Sequence, residues 1–283
     1  MRIAVVTDSG SNIYQQPIAL PGLFSVPLQI ADDTNNYQDG EEAPPTFIYQ
    51  QIAQGKMFKT SLPAVSRIEE LFTVIKNQGY DQIFSVCITS GLSSTLSVMQ
   101  SIAEQVGIAF DYVDCYTTAS NQWYLAKRSR EMLDEGKTLA QIKPLLIDAI
   151  NHSVTFVIPQ DLNHLKRGGR ITPMAAALGS LLKIRPILKV DESTGGKNDA
   201  YDKVRTLGKA LDRVIEYAQE HGVNDDYYIC VAHVLYEEGA QELYTKFRNA
   251  FSGAEIYITD LVATVGVHTG LNTVACQYIK KIK

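Results

Sequence analysis

The chain has 283 residues, 45% hydrophobic and 20% charged, enough to bury a core as one large or two moderate domains. Its net charge of -5 leaves no basic excess to neutralise phosphates, which argues against nucleic acid as a partner. Four cysteines lie far apart with no CxxC pair, no apolar run reaches the ~18 residues of a membrane span, and "MRIAVVTDSG" is no signal peptide. Reduced thiols in a soluble cytoplasmic protein without stable membrane insertion are therefore expected.

In chain order, β-rich runs at Ile3–Val6, Phe24–Ile30, Ile83–Ile88 and Phe110–Val113 predict strands. Helical patterns fall at Pro45–Ala53, Val65–Asn77, Ser94–Gln105, Ser120–Asp134 and Leu139–Ile150. Such alternation implies parallel strands joined by crossover helices. Val154–Gln160 opens a second half as a strand. A short helical piece at "DLNHLKRGGRI", an apolar helix Met174–Leu182 and a strand Arg185–Val190 come next. The polar, glycine-bearing stretch Asp191–Asp199 is hairpin-turn chemistry. Thr206–Glu220 and Glu237–Phe251 read as helices, Tyr227–His233 and Ile256–Leu261 as strands, and the tail as a closing strand. The expected class is α/β with two α/β domains. The N-terminal domain is mainly a parallel sheet with flanking helices, and the C-terminal one a mixed sheet with helices. The boundary lies near residue 155, giving domains 1–155 and 156–283.

Ligands of open α/β sheets bind outside the carboxyl ends of strands, and the polar clusters here follow that rule. "TDSGS" (Thr7–Ser11), "TSGLSST" (Thr89–Thr95) and "DCYTTASN" follow strands, "TSLP" (Thr60–Pro63) precedes a helix, and "VGVHTG" (Val265–Gly270) is a glycine-flanked loop. Hydroxyls where a strand meets a helix N-terminus cap the helix, and they also suit an anion. GxGxxG, GxxxxGK[ST], GxSxG and HExxH are all missing, and the histidines lack metal-ligand spacing. His152, His164 and His221 are expected to face solvent; His233 and His268 each suit a hydrogen-bonded structural role.

"LKRGGRI" puts two glycines between cations, where a backbone turns sharply or lies close to something else. Lys166, Arg167 and Arg170, with Lys183, Arg185 and Arg205, concentrate positive charge in an acidic chain. They form either a solvated basic face or a docking surface for an acidic or phosphorylated partner. The small residues of "PMAAALGSLLKIRPIL" suit core packing or a narrow lipid-sized tunnel.

Taken in order, "TDSGS", "TSLP", "TSGLSST", "LKRGGRI", "LLKIRPIL", "KVRT", "VAH" and "VGVHTG" resemble the DegV family, fatty-acid-binding proteins that serve bacterial fatty acid kinases. The similarity spans essentially the whole chain. It implies two α/β domains enclosing a fatty acid of the palmitate, stearate or oleate class, with no cofactor, no metal and no catalytic residue in this chain. It also implies a partner, the ATP-binding subunit of a fatty acid kinase, that converts the bound carboxyl group to an acyl phosphate. By the same resemblance Thr60, Ser93 and His268 hold the carboxylate, with Ser61 and Thr269 beside them. Arg170 and Arg205 dock the kinase, joined by Lys166 and Arg167 of the basic cluster. The 1–155 domain would then carry the carboxylate loops, and the 156–283 domain the acyl-chain pocket and the basic face. Two departures stand out: Leu271 and Asn272 replace a small residue and a glycine after the histidine loop, and Ser94 replaces a glycine. The alternatives are an enzyme on a small acyl or phosphorylated substrate, with Ser93 as nucleophile and His268 as base, and a lipid-sensing regulatory protein. Against the enzyme, no acidic partner for the histidine is evident.

Overall fold

The computed structural model describes residues 1–16, 19–179 and 184–283. The first half runs β1 (Ile3–Asp8), β2 (Leu23–Val26), β3 (Gln29–Ala31), β4 (Asn36–Gln38), α1 (Pro45–Ala53), β5 (Lys59–Ser61), α2 (Val65–Asn77), β6 (Gln82–Ser85) and α3 (Thr95–Val106). It continues with β7 (Ala109–Tyr112), α4 (Ala119–Asp134) and α5 (Leu139–Asn151). The second half runs β8 (Ser153–Ile158), α6 (Asn163–Gly168), α7 (Pro173–Leu178), β9 (Arg185–Val190), β10 (Asp199–Val204) and α8 (Leu207–Glu220). It ends with β11 (Tyr227–His233), α9 (Glu237–Ala250), β12 (Glu255–Asp260), α10 (Ala263–Thr269) and β13 (Val274–Lys280). The chain thus forms two α/β domains.

The N-terminal sheet has the order β2-β1-β6-β7 and is wholly parallel. Strand β1 is buried at all six positions, as a central parallel strand with both faces covered must be. Phe72, Ile75 and Met99 of α2 and α3 cover one face; Leu125, Met132 and Leu146 of α4 and α5 cover the other. The C-terminal sheet has the order β10-β9-β8-β13-β11-β12, and only the β11–β12 pair is parallel. Leu211 and Val214 of α8 with Leu243 and Phe247 of α9 pack on Phe156 and Ile229 of that sheet.

Three features depart from the expectations. The single strand over Phe24–Ile30 is two, β2 in the parallel sheet and β3 in a small antiparallel sheet β4-β3-β5. Pro27 lies at the break, where its missing N–H cannot extend a ladder. The "VGVHTG" segment is helical rather than a loop. Gly266, a poor helix former, conceals this; it is required because a Cβ there would strike the Tyr49 ring. Of the apolar helix Met174–Leu182, the described part is α7 with Gly179 as its C-cap. Residues 180–183, which include Lys183 and the start of "LLKIRPIL", lie outside the described residues.

The two domains are joined through a buried polar contact. Helix α4 has no capping hydrogen bond from its own N-cap residue, Thr118. Instead Gln277, on β13 of the other domain, accepts from the Ser120 N–H at 2.9 Å through Oε1. Its Nε2 donates to the Thr118 carbonyl and the Thr155 hydroxyl, each at 2.8 Å.

Candidate ligand-binding site

A cavity of about 500 Å³ lies where the loops of the two domains meet, within the roughly 300–1,000 Å³ usual for small-molecule sites. Thr60 and Ser61 of β5, Ser93 before α3, and His268 and Thr269 of α10 all line it. Residues more than 200 positions apart in sequence thus share one wall. Arg170, expected to dock a partner, lines the same cavity. Lys166, Arg167 and Arg205 do not; all three are exposed. Leu28, Leu62, Ile88, Leu92, Leu165 and Val265 supply the apolar lining, drawn from both domains.

The hydroxyl loop is braced from below. Asp8 of the "TDSGS" cluster lines no part of the cavity and is fully buried. Its carboxylate accepts from the Gly10 N–H at 2.9 Å, the Ile88 N–H at 2.9 Å and Gln122 Nε2 at 3.1 Å. Burial nevertheless raises its pKa, against the lowering effect of those bonds. The Ile88 bond fixes the point from which "TSGLSST" departs. Further on, Leu92 N and Ser93 N both donate to the Thr89 carbonyl, at 3.0 and 3.1 Å. Ser93 Oγ lies 2.8 Å from Thr95 Oγ1 and accepts from the Thr95 N–H at 3.3 Å, so the hydroxyl helps cap α3 while also facing the cavity.

On the opposite wall His268 Nε2 lies 2.6 Å from Thr60 Oγ1. Burial first, then the charges of Arg170 and His164, push the ring pKa down to about 4. The imidazole is therefore neutral at pH 7 and does not titrate near neutrality, as a free histidine would. A Cβ on Gly168 would overlap His268 Nδ1, which explains one glycine of "LKRGGRI". Gly169 explains the other: it ends α6 in the left-handed region, at φ +66°. His164, expected in solvent, is half-buried; a Cβ on Gly270 would touch its ring, and burial lowers its pKa. Thr269 is 2% exposed, with its hydroxyl on the Gly266 carbonyl at 3.5 Å, so it contributes wall rather than a free donor.

The wall formed by Thr60, Arg170 and His268 also bounds an outer recess of about 270 Å³, which Gly168 lines as well. Lys56, Lys59 and Arg167 rim it beside Met57, which is 62% exposed. Leu271 and Asn272 line neither space; they border a separate surface hollow, and Asn272 adopts φ +57°, which asparagine tolerates. The replacement of glycine there leaves the cavity wall untouched. Ser93 bonds Thr95 and His268 bonds Thr60, so the nucleophile–base contact of a Ser/His enzyme is not made. Among the described residues, no group of three or more His, Cys, Asp or Glu side chains can hold a metal ion, and no helix is long and apolar enough to cross a membrane.

Ser90 of the "TSGLSST" cluster also lines the cavity, whereas sequence reasoning did not single out Asn198 or Thr264. Asn198 was hidden as a turn residue, and Thr264 preceded the "VGVHTG" motif by a single position.

A family model described as "Uncharacterised protein, DegV family" matches residues 2–281. A DegV domain-containing protein of Streptococcus pneumoniae is 29% identical over 284 residues, covering all of both chains. One from Staphylococcus aureus is 28% identical over 292 residues, covering 100% of this chain and 99% of its own. The crystal structure of a fatty acid binding DegV family protein from Streptococcus agalactiae superposes with a TM-score of 0.88 at 26% identity, over 99% of each chain. That of DegV, a fatty acid binding protein from Bacillus subtilis, gives 0.85 at 25% identity, over 99% of this chain and 100% of that one. With a family match from one end to the other and the same two-domain architecture beneath it, the chain belongs to the DegV family.

Proposed function

We propose that this protein binds one long-chain fatty acid, of the palmitate, stearate or oleate class, in the cavity between its domains. Thr60, Ser61, Ser93 and His268 hold the carboxylate, Thr269 closes the wall behind them, and the leucine-rich lining takes the acyl chain. The carrying observation is the convergence of the Thr60, Ser61 and Ser93 hydroxyls and a neutral imidazole on one cavity whose lining also includes Arg170 and six aliphatic side chains. A carboxylate needs short hydrogen bonds from fixed donors, and this set supplies them. The tail supplies most of the affinity: at ~0.8 kcal/mol per methylene, some fourteen methylenes give roughly 11 kcal/mol before ordering costs. That two related proteins of known structure, at 25–26% identity, are fatty acid binding proteins adds weight. In this reading residues 1–155 bring the hydroxyl loops, and 156–283 bring α10 and the basic face.

The same reading makes this chain a cytoplasmic carrier that presents the carboxyl group to a kinase subunit, which transfers phosphoryl from ATP to give acyl phosphate. Lys166, Arg167 and Arg205 form the docking face, with Arg170 at the border between that face and the cavity. Mass spectrometry of protein purified from bacteria, after denaturing release, should find fatty acid near one per chain; protein that neither carries lipid nor takes up added palmitate refutes the reading. The arginines should separate in a kinase assay. Arg205→Glu, at an exposed position, should lose kinase-dependent phosphorylation and keep its lipid. Arg170→Glu, on the cavity wall, should lose both. Equal lipid content in the two variants would sink that division.

A further inference from the structure

Between β9 and β10 the hairpin turn reaches both walls of the cavity at once. On the N-terminal side its two glycines press on the hydroxyl loop. A Cβ on Gly91 would run into the Gly195 carbonyl and the Gly196 backbone, and a Cβ on Gly196 would run into the Thr89 side chain. Thr89 has no room to yield, because it is fully buried. On the C-terminal side Asn198, 6% exposed, donates from Nδ2 to the Arg170 carbonyl at 2.7 Å. The Asn198 carbonyl accepts from the Thr172 N–H at 3.0 Å, and Ile171 pairs with Asn198 in a β-bridge. Asn198 therefore ties down the backbone on both sides of Ile171, and with it the base of the Arg170 side chain.

We propose that this hairpin is a positioning clasp: Gly196 seats the hydroxyl loop that carries Ser93, Asn198 seats Arg170, and the turn between them sets the span across the ligand's head group. Neither residue needs to touch the ligand's reacting atoms. The clasp rests on the fatty-acid reading for its effect on affinity, but its geometry does not. Arg170 in turn donates from its guanidinium to the Gly168 carbonyl at 2.5 Å, and Gly168 packs against His268. Thr60 contacts the His268 ring, the Arg170 and His164 charges act on it, and Lys56, Lys59 and Arg167 line the recess beside it. Of these, the Arg170 charge acts on the ring's protonation second only to burial.

The test compares Gly196→Ala, Asn198→Ala and a matched control, Gly222→Ala. Gly222 has the same φ of +71° as Gly196 but open space around it, so it carries the backbone strain without the collision. Two readouts are taken on the full chain: binding of palmitate, and titration of the His268 ring by NMR, with His268→Gln identifying the signal. Gly196→Ala and Asn198→Ala should weaken palmitate binding about tenfold, the factor that one unpaired or displaced buried polar group produces, while Gly222→Ala binds as wild type. Asn198→Ala should also raise the His268 titration toward that of an ordinary histidine, as should Arg170→Gln. A His268 titration that stays put in folded Asn198→Ala, or Gly196→Ala binding like Gly222→Ala, overturns the clasp. Should wild type bind no palmitate at all, the functional reading falls, and the histidine titration still decides the clasp alone.

Discussion

Replacing Asp8 with alanine is expected to lower the free energy of unfolding by about 3 kcal/mol or more and to abolish fatty-acid loading, although Asp8 does not line the cavity. The carboxylate receives two backbone N–H groups and a side-chain amide, all buried. Each donor left unpaired costs roughly 1–3 kcal/mol. Asp8→Asn separates charge from geometry. It retains one acceptor oxygen but turns an N–H toward a donor, so its cost should be smaller yet clear. Loading fails because the Ile88 bond fixes where the hydroxyl loop begins, and a shift of that point moves Ser93. Urea unfolding and palmitate titration measure the two effects; a destabilised variant with wild-type affinity while folded would show that Asp8 does not brace the loop.

The second large effect is a cancellation that two substitutions should expose. His268, with its pKa pushed from 6.5 down to about 4, stays neutral when folded, while the unfolded ring gains a proton below 6.5. Its contribution to stability is complete above pH 6.5 and is lost as pH falls through 4. Asp39 runs the other way. It is 1% exposed, and burial raises its pKa from 3.8 to about 7, opposed by hydrogen bonds from Ser9 and Thr264 and assisted by the nearby Asp8 charge. Its contribution is complete below pH 3.8 and is lost as pH rises through 7. Between pH 4 and 6.5 the two slopes oppose each other, worth up to about 3 kcal/mol for His268 and about 4 kcal/mol for Asp39 over their full ranges. The stability gap between wild type and His268→Gln should therefore shrink on acidification, and the gap between wild type and Asp39→Asn should grow. Parallel curves for all three proteins would refute both assignments.

The elements most legible in the sequence are those whose edges carry chemical marks. Helix α1 starts at a Pro-Pro pair, with Pro45 at a first-turn position where its missing N–H is harmless. Helix α2 shows its buried Ile68, Phe72 and Ile75 at helical spacing. Helix α10 and the strands β3, β4 and β5 were not legible as such. Glycines mask the helix, and three-residue strands are too short to show alternation. The hydroxyl-rich end of the site could be read because Ser and Thr cluster visibly. Its cationic wall could not, because Arg170 stands in a run of exposed cations, and its place on the cavity and its contact with Asn198, 28 positions away, exist only in the fold. Asp39 lies in a polar run like many on a surface; only the fold reveals that it is buried and that Thr264 donates to it at 3.1 Å.

Strand β13 bears on how quickly this chain can reach its native state. It is threaded between β8 and β11, both of which precede it in sequence, and it carries the glutamine that caps α4 in the other domain. Until β13 inserts, β8 and β11 have no partner to bridge them and α4 lacks its cap, so closing the sheet and uniting the two halves become one late, long-range event. Refolding from denaturant should accordingly be slow, with β8 and β11 amides gaining exchange protection in the same kinetic phase as the first turn of α4.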